Sequence, residues 1–225
     1  MDCESAPLLP PKGPPLAKTS PEEYRGCGAT FFFSWLSPIM ELGASRPLDF
    51  DDLYVLNQRN RANTISLRFD HFWTLQLRSP QPSLPWALGG AFGSRFMIAG
   101  LLRFVRATLE FVAPFVLKRM IAFVRTPDAP VTEGWLLAAA IFASGLLQSF
   151  CFRQFAFIIN ETSMQIRSAV ISKVHAKTLR LSTKALQERS TGEIANLVSI
   201  DAARLHRVVT DLHSLWMVPY LLVVA

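Results

Sequence analysis

The chain has 225 residues, 50% hydrophobic and 18% charged, with 17 Phe, 5 Trp and a formal net charge of +6. That balance is too apolar for a disordered polypeptide or a nucleic-acid coat, and the apolar residues fall in long blocks, which makes a membrane protein the leading class. Three scattered cysteines (Cys3, Cys27, Cys151) with no C-x-x-C pair indicate neither a disulfide framework nor a zinc site.

Residues 1–28 hold six prolines and read as an extended, Pro-rich cytoplasmic tail, disordered by composition. A basic start with an apolar h-region is missing, so no signal peptide is visible. Glu4 followed by Leu8-Leu9 has the spacing of an acidic dileucine sorting signal, although a bland solvated tail fits the same residues. Residues 29–60 form the next unit. Its aromatic run from Phe31 to Leu42 is too short to cross a bilayer, which needs about 20 residues, and is expected to lie along the interface with a kink at Pro38. Asp49, Asp51 and Asp52 lack the other ligands of a calcium loop and read as helix N-capping groups. Residues 61–85 are expected as a linker, ending in the helix-breaking Ser79–Pro85 stretch.

From residue 86 onward the chain reads as membrane-embedded. A first span is expected at about 90–124, although Arg95, Arg103, Arg106, Glu110, Lys118 and Arg119 interrupt it. Arg103, Arg106 and Glu110 advance by three and four, so they share one helical face that must point into a bundle or a wet cavity rather than into lipid. Two readings stay open for them: a structural Arg106–Glu110 ion pair with Arg103 snorkelling, or an anion-attracting stripe along a translocation path. Pro114 is expected to bend this helix. After an acidic, Pro-broken loop at 126–134, a second span is expected at 135–160. Trp135–Phe152 carries no charge, and Ala139, Ala143, Ser144 and Gly145 are suited to helix packing.

Residues 161–207 hold eight Lys/Arg against four acids. The positive-inside bias therefore predicts a cytoplasmic connector there, a cytoplasmic N-terminus and an external loop at 126–134. Within the connector, Lys173, Lys177, Arg180 and Lys184 fall on one face of an amphipathic helix, which suits anionic headgroups or a docked protein. Ser190–Glu193 reads as a capping box. Asp201 lies beside the following apolar stripe, where an interhelical salt bridge is the ordinary explanation. A third span, 208–225, is shorter than a full crossing, so the chain reads as cut off. The cations flank apolar runs without RNP, zinc-finger or basic-zipper patterns, so no nucleic-acid partner is expected. His71, His175, His206 and His213 are dispersed, and each reads as a surface or packed residue.

Several segments in one order resemble the C-subfamily, multidrug-resistance-associated ABC transporters over residues 30–225. They are Phe33–Pro38 with Gly43 and Arg46-Pro47-Leu48, then Asp51–Tyr54, Arg167–Val170, Lys177–Ser182, Thr191–Leu205 and Leu215-Trp216-x-x-Pro219. The resemblance implies an all-α membrane protein: a partial type-1 exporter transmembrane domain with an elbow segment, two full spans, a coupling helix and the start of a third span. It implies an ATP-driven exporter of amphipathic organic anions, with Arg103, Arg106 and Glu110 as substrate-path candidates. Arg167, Lys173, Lys177 and Arg180 would couple to a nucleotide-binding domain. It further implies the bilayer, the remaining spans, nucleotide-binding domains and an anionic substrate as partners, and a plasma-membrane or vacuolar/lysosomal location. ATP and magnesium would serve the complete transporter, since no Gly-x-x-x-x-Gly-Lys-Ser/Thr loop occurs in these residues and no cofactor, catalytic or metal site is expected in them. The alternative is a stand-alone membrane interaction protein that pairs with a full transporter and modulates it.

Overall fold

The computed structural model describes residues 29, 32–126, 130–181 and 196–224. The tail signal at Glu4/Leu8-Leu9, the capping box at Ser190–Glu193 and Lys184 lie outside them. The chain divides into two compact units, Met1–Arg61 and Ala62–Ala225, and among the described residues every regular element is helical.

In the first unit a short 3-10 turn, Ser34–Leu36, leads into α1 (Ser37–Ser45). Pro38 lies in the first turn of α1, where its missing N–H would have no intrahelical partner anyway. It starts a helix here rather than kinking one. Two of the three aspartates expected to cap do so. Asp49 and Asp52 form a reciprocal capping box around the turn Phe50–Asp52. Asp52 also accepts a two-pronged hydrogen bond from Arg46, at 2.7 and 2.6 Å. Those bonds raise the Arg46 guanidinium further above its ordinary range.

The second unit begins earlier than residue 86. Residues 62–77, expected as linker, form helix α2 (Ala62–Leu77). Ile65 and Phe69, four apart on one face, are buried in the same core as the later helices. Burying a side chain such as Phe69 is worth about 1.5–3 kcal/mol, enough to hold a segment of otherwise ordinary helix propensity. Gly90 in the next helix admits Phe72 of α2, because a Cβ there would stand 2.5 Å from a ring carbon.

Helix α3 (Leu84–Glu110) and α4 (Val112–Val124) are separated at Phe111. Pro114 cannot donate to the carbonyl four residues back, at Glu110, and its ring crowds that carbonyl, so the interruption falls where the sequence places it. Helix α5 (Val131–Thr178) then runs 48 residues without a break, about 72 Å at 1.5 Å per residue, against roughly 40–45 Å for a bilayer with its headgroups. The second span and the first part of the basic helix expected after it are therefore one rod, which ends at Thr178 with Arg180 in the turn beyond. A π-helical turn, Leu197–Asp201, carries the chain into α6 (Ala202–Val224). Among the described helices, α5 and the Leu197–Val224 stretch are long and apolar enough to cross a membrane.

The helix directions follow from which residues meet. Arg95 meets Glu161, Arg103 and Arg106 meet Phe155 and Phe152, Leu109 meets Gln148, and Gly134 lies against Phe123. In each pair the two residue numbers add to 256–258, so α3–α4 runs antiparallel to α5 with no slip across Phe111. Contacts between α3 and α6 instead keep a near-constant separation of 111 to 117 residues, so these two helices are parallel. The result is an up-down-up three-helix core. Its close packing rests on small residues of α3 (Ala87, Ala91, Ala99, Gly100, Ala107), all buried. Of the α5 residues expected to do this, only Ser144 is buried, while Ala139, Ala143 and Gly145 are exposed.

Candidate substrate-path site

The polar face of α3 points into this three-helix junction. Arg103 does not snorkel: its Nη2 donates to Ser214 Oγ on α6 at 3.0 Å, and its guanidinium lies 5.2 Å from the Phe155 ring centre on α5. One turn on, Arg106 lies 4.6 Å from the ring centre of Phe152. A guanidinium over an aromatic face gains about 0.5–2 kcal/mol, more as water is removed, so both cations are held at the helix junction by rings rather than by acids.

Glu110 is exposed, and among the described residues no ion pair joins it to Arg106, despite the one-turn spacing. Phe152 takes the guanidinium in the other direction. The three residues nevertheless line one crevice, of about 70 Å³, with Ala107 of α3 and Met217 and Leu221 of α6. Arg103 spends one donor on Ser214. Each guanidinium has five N–H donors, so the remaining ones can meet an anion in bidentate fashion.

Residues that the sequence pattern did not single out fix this geometry. His213 of α6 is buried and stacks on Phe96 at 4.0 Å between ring centres. Trp216 Nε1 donates to His213 Nδ1 at 3.1 Å, which makes Nδ1 the acceptor, so Nε2 carries the hydrogen that meets the Phe96 carbonyl at 3.1 Å. Both ring nitrogens are thereby used and the imidazole is neutral. It fits because residue 100 is glycine: a Cβ would stand 2.7 Å from His213 Cε1. Higher up, the Thr108 and Tyr220 hydroxyls meet at 2.9 Å, and Gln148 donates to the Leu109 carbonyl that the break after α3 frees. A lone His or Gln in an apolar run gives no sign of its partner, which is set by helix register.

The proposed coupling cations are not held alike. Arg167 is half-buried on α5, Lys173 pairs with Asp70 of α2, and Lys177 and Arg180 are exposed. Asp201 pairs with Arg204 at 3.4 Å on its own helix, not across helices, because the pair lies on an exposed face. Among the described residues no group of three or more His, Cys, Asp or Glu side chains converges as metal ligands do.

Three helices with an up-down-up course, two of them long and apolar enough to cross a membrane, are the architecture of a helical membrane domain. Residues 96–225 match the ABC transporter transmembrane region, and the chain belongs to that family. Its relatives are C-family members. It is 34% identical to ABC transporter C family member 8 of Dictyostelium discoideum over 86% of this chain and 12% of that protein. It is 28% identical to the metal resistance protein YCF1 of Saccharomyces cerevisiae over 92% of this chain and 15% of the relative. It is 27% identical to ATP-binding cassette sub-family C member 3 of Mus musculus over 91% of this chain and 15% of the relative. The chain thus spans less than one sixth of the length of these relatives.

Proposed function

We propose that these residues form the opening part of the transmembrane domain of an ATP-driven exporter of amphipathic organic anions. The observation that carries the reading is that Arg103 and Arg106 are held at the α3–α5–α6 junction by Ser214, Phe155 and Phe152, with no carboxylate ion-paired to either among the described residues. Guanidinium donors fixed in a partly enclosed crevice attract an anion more strongly than the same groups in bulk water. Export then needs the crevice to open alternately to the two sides, and α5 is the element long enough to carry that motion to a domain beyond the bilayer.

In this proposal ATP and magnesium belong to nucleotide-binding domains, and no residue of this chain holds them. Arg167, Lys173 and Lys177 face those domains from the cytoplasmic end of α5 and Arg180 from the turn beyond it, with the N-terminus on the same side and the 126–134 loop outside. The host membrane is the plasma membrane or a vacuolar or lysosomal one.

The test is vesicle transport by the complete protein. With Arg103→Ala and Arg106→Ala together, uptake of an anionic conjugate into inverted vesicles falls at least tenfold while ATP binding stays at the wild-type level. Unchanged uptake would remove both arginines from the path.

A further inference from the structure

The crevice at Arg103 and Arg106, at about 70 Å³, is far smaller than a drug-sized ligand needs. A cavity of suitable size lies elsewhere. Between α2 and the C-terminal third of α5 runs a groove of about 420 Å³. Its apolar wall comes from Phe69 and Trp73, stacked at 5.9 Å between ring centres, with Leu84, Val170 and Val174. Of its cations, Lys173 and Lys177 stand on α5 and Arg180 in the turn just past its end.

The three cations are not equivalent. Lys173 is neutralised by Asp70, which stands on α2 directly after Phe69 and three residues before Trp73. The Lys177 and Arg180 side chains are exposed and have no acid partner among the described residues. The Arg180 backbone N–H donates to the Lys177 carbonyl at 3.0 Å, so the chain turns tightly at the end of α5 and keeps the two cations close enough to share one anionic head group. The groove therefore has an aromatic body and a doubly cationic rim, and it lacks the row of backbone donors and acceptors that an extended peptide would need.

We propose that this groove is a second binding site, for a water-soluble amphipathic anion with a flat aromatic body and a single sulfonate, phosphate or carboxylate head. The body lies against Trp73 and Phe69, and the head meets Lys177 and Arg180. The site is separate from the Arg103/Arg106 crevice and does not depend on it.

The experiment is equilibrium titration of the full chain in lipid nanodiscs, read by calorimetry. Three probes separate the contributions: naphthalene-1-sulfonate has body and charge, naphthalene-1-sulfonamide has the body alone, and inorganic phosphate has the charge alone. The sulfonate binds at least tenfold more tightly than either control. K177Q together with R180Q loses that advantage, and Trp73→Ala weakens both naphthalene probes. D70N, which releases Lys173 to the rim, tightens the sulfonate several-fold, and this gain cannot come from a misfolded variant. R103A with R106A leaves the affinity unchanged, so failure here and failure of the transport reading are told apart. Equal binding of sulfonate and sulfonamide, loss of affinity with D70N, or a loss that follows Arg103 and Arg106 instead would each overturn the proposal.

Discussion

Arg95 of α3 places Nη1 2.7 Å from Oε2 of Glu161 on α5, a pair joined across 66 residues of sequence. Glu161 is buried to 6% exposure and Arg95 keeps 26%. The pair pins the register in which all the other α3–α5 contacts follow, because a slip of one residue would carry the carboxylate off the guanidinium.

Removing one partner should therefore cost more than removing both. Glu161→Ala leaves an uncompensated guanidinium at the helix junction and is expected to destabilise by about 3–5 kcal/mol. Arg95→Met with Glu161→Leu is expected to come within about 1–2 kcal/mol of the parent. Denaturant unfolding in micelles, followed by tryptophan fluorescence, measures both. Equal losses in the single and double variants would mean that the pair does not act as a unit.

Gly100 and His213 form a lock of a different kind. A methyl group at residue 100 would strike the imidazole, so Gly100→Ala is expected to cost about 1–3 kcal/mol through overpacking. His213→Ala removes the obstacle together with its two hydrogen bonds. In a double-mutant cycle the Gly100→Ala penalty should largely vanish on the His213→Ala background, a coupling of about 1 kcal/mol or more. Additive losses would show that the close approach is relaxed in solution.

The membrane class, the three helical tracts, the break before residue 114 and the inward-turned charged face are all legible in residue order, because each depends on local composition or on spacing within one helix. Helix α2 is not, since its fold is decided by a distant pocket that receives Phe69 and Phe72. Nor is the choice of partner by Arg106. Within one helix Glu110 is the natural acid, but the register against α5 brings Phe152 over the guanidinium, and that register is visible only once two helices are side by side. Arg103 needed Ser214, 111 residues away, which no spacing rule connects.

In the first unit, Asp52 accepts from both Arg46 and the Asp49 backbone N–H, at 2.9 Å for the latter. Asp52→Ala removes the capping partner, worth about 1 kcal/mol. The Asp49 amide should then exchange with solvent roughly five to ten times faster by hydrogen-exchange mass spectrometry, the rate change that about 1–1.4 kcal/mol produces. Asp52→Asn should fall in between. An unchanged rate would mean that the turn is held by backbone geometry alone.

The two ends of α5 should report from opposite faces of the bilayer. Val131 and Lys173 are 42 residues apart on one helix, about 63 Å at 1.5 Å per residue. With the native cysteines replaced by serine, Val131→Cys and Lys173→Cys should react with an impermeant maleimide from different sides of sealed vesicles. Labelling of both from one side would contradict α5 as a span.

The unbroken course of α5 also sets a mechanical scale. With no proline, bulge or hinge between Val131 and Thr178, a tilt of only about 5° at one end sweeps the other through about 6 Å over a rod of about 72 Å. Small angular changes at the foot therefore arrive at the head as side-chain-sized displacements. The rod thus passes an angular change along its length rather than absorbing it.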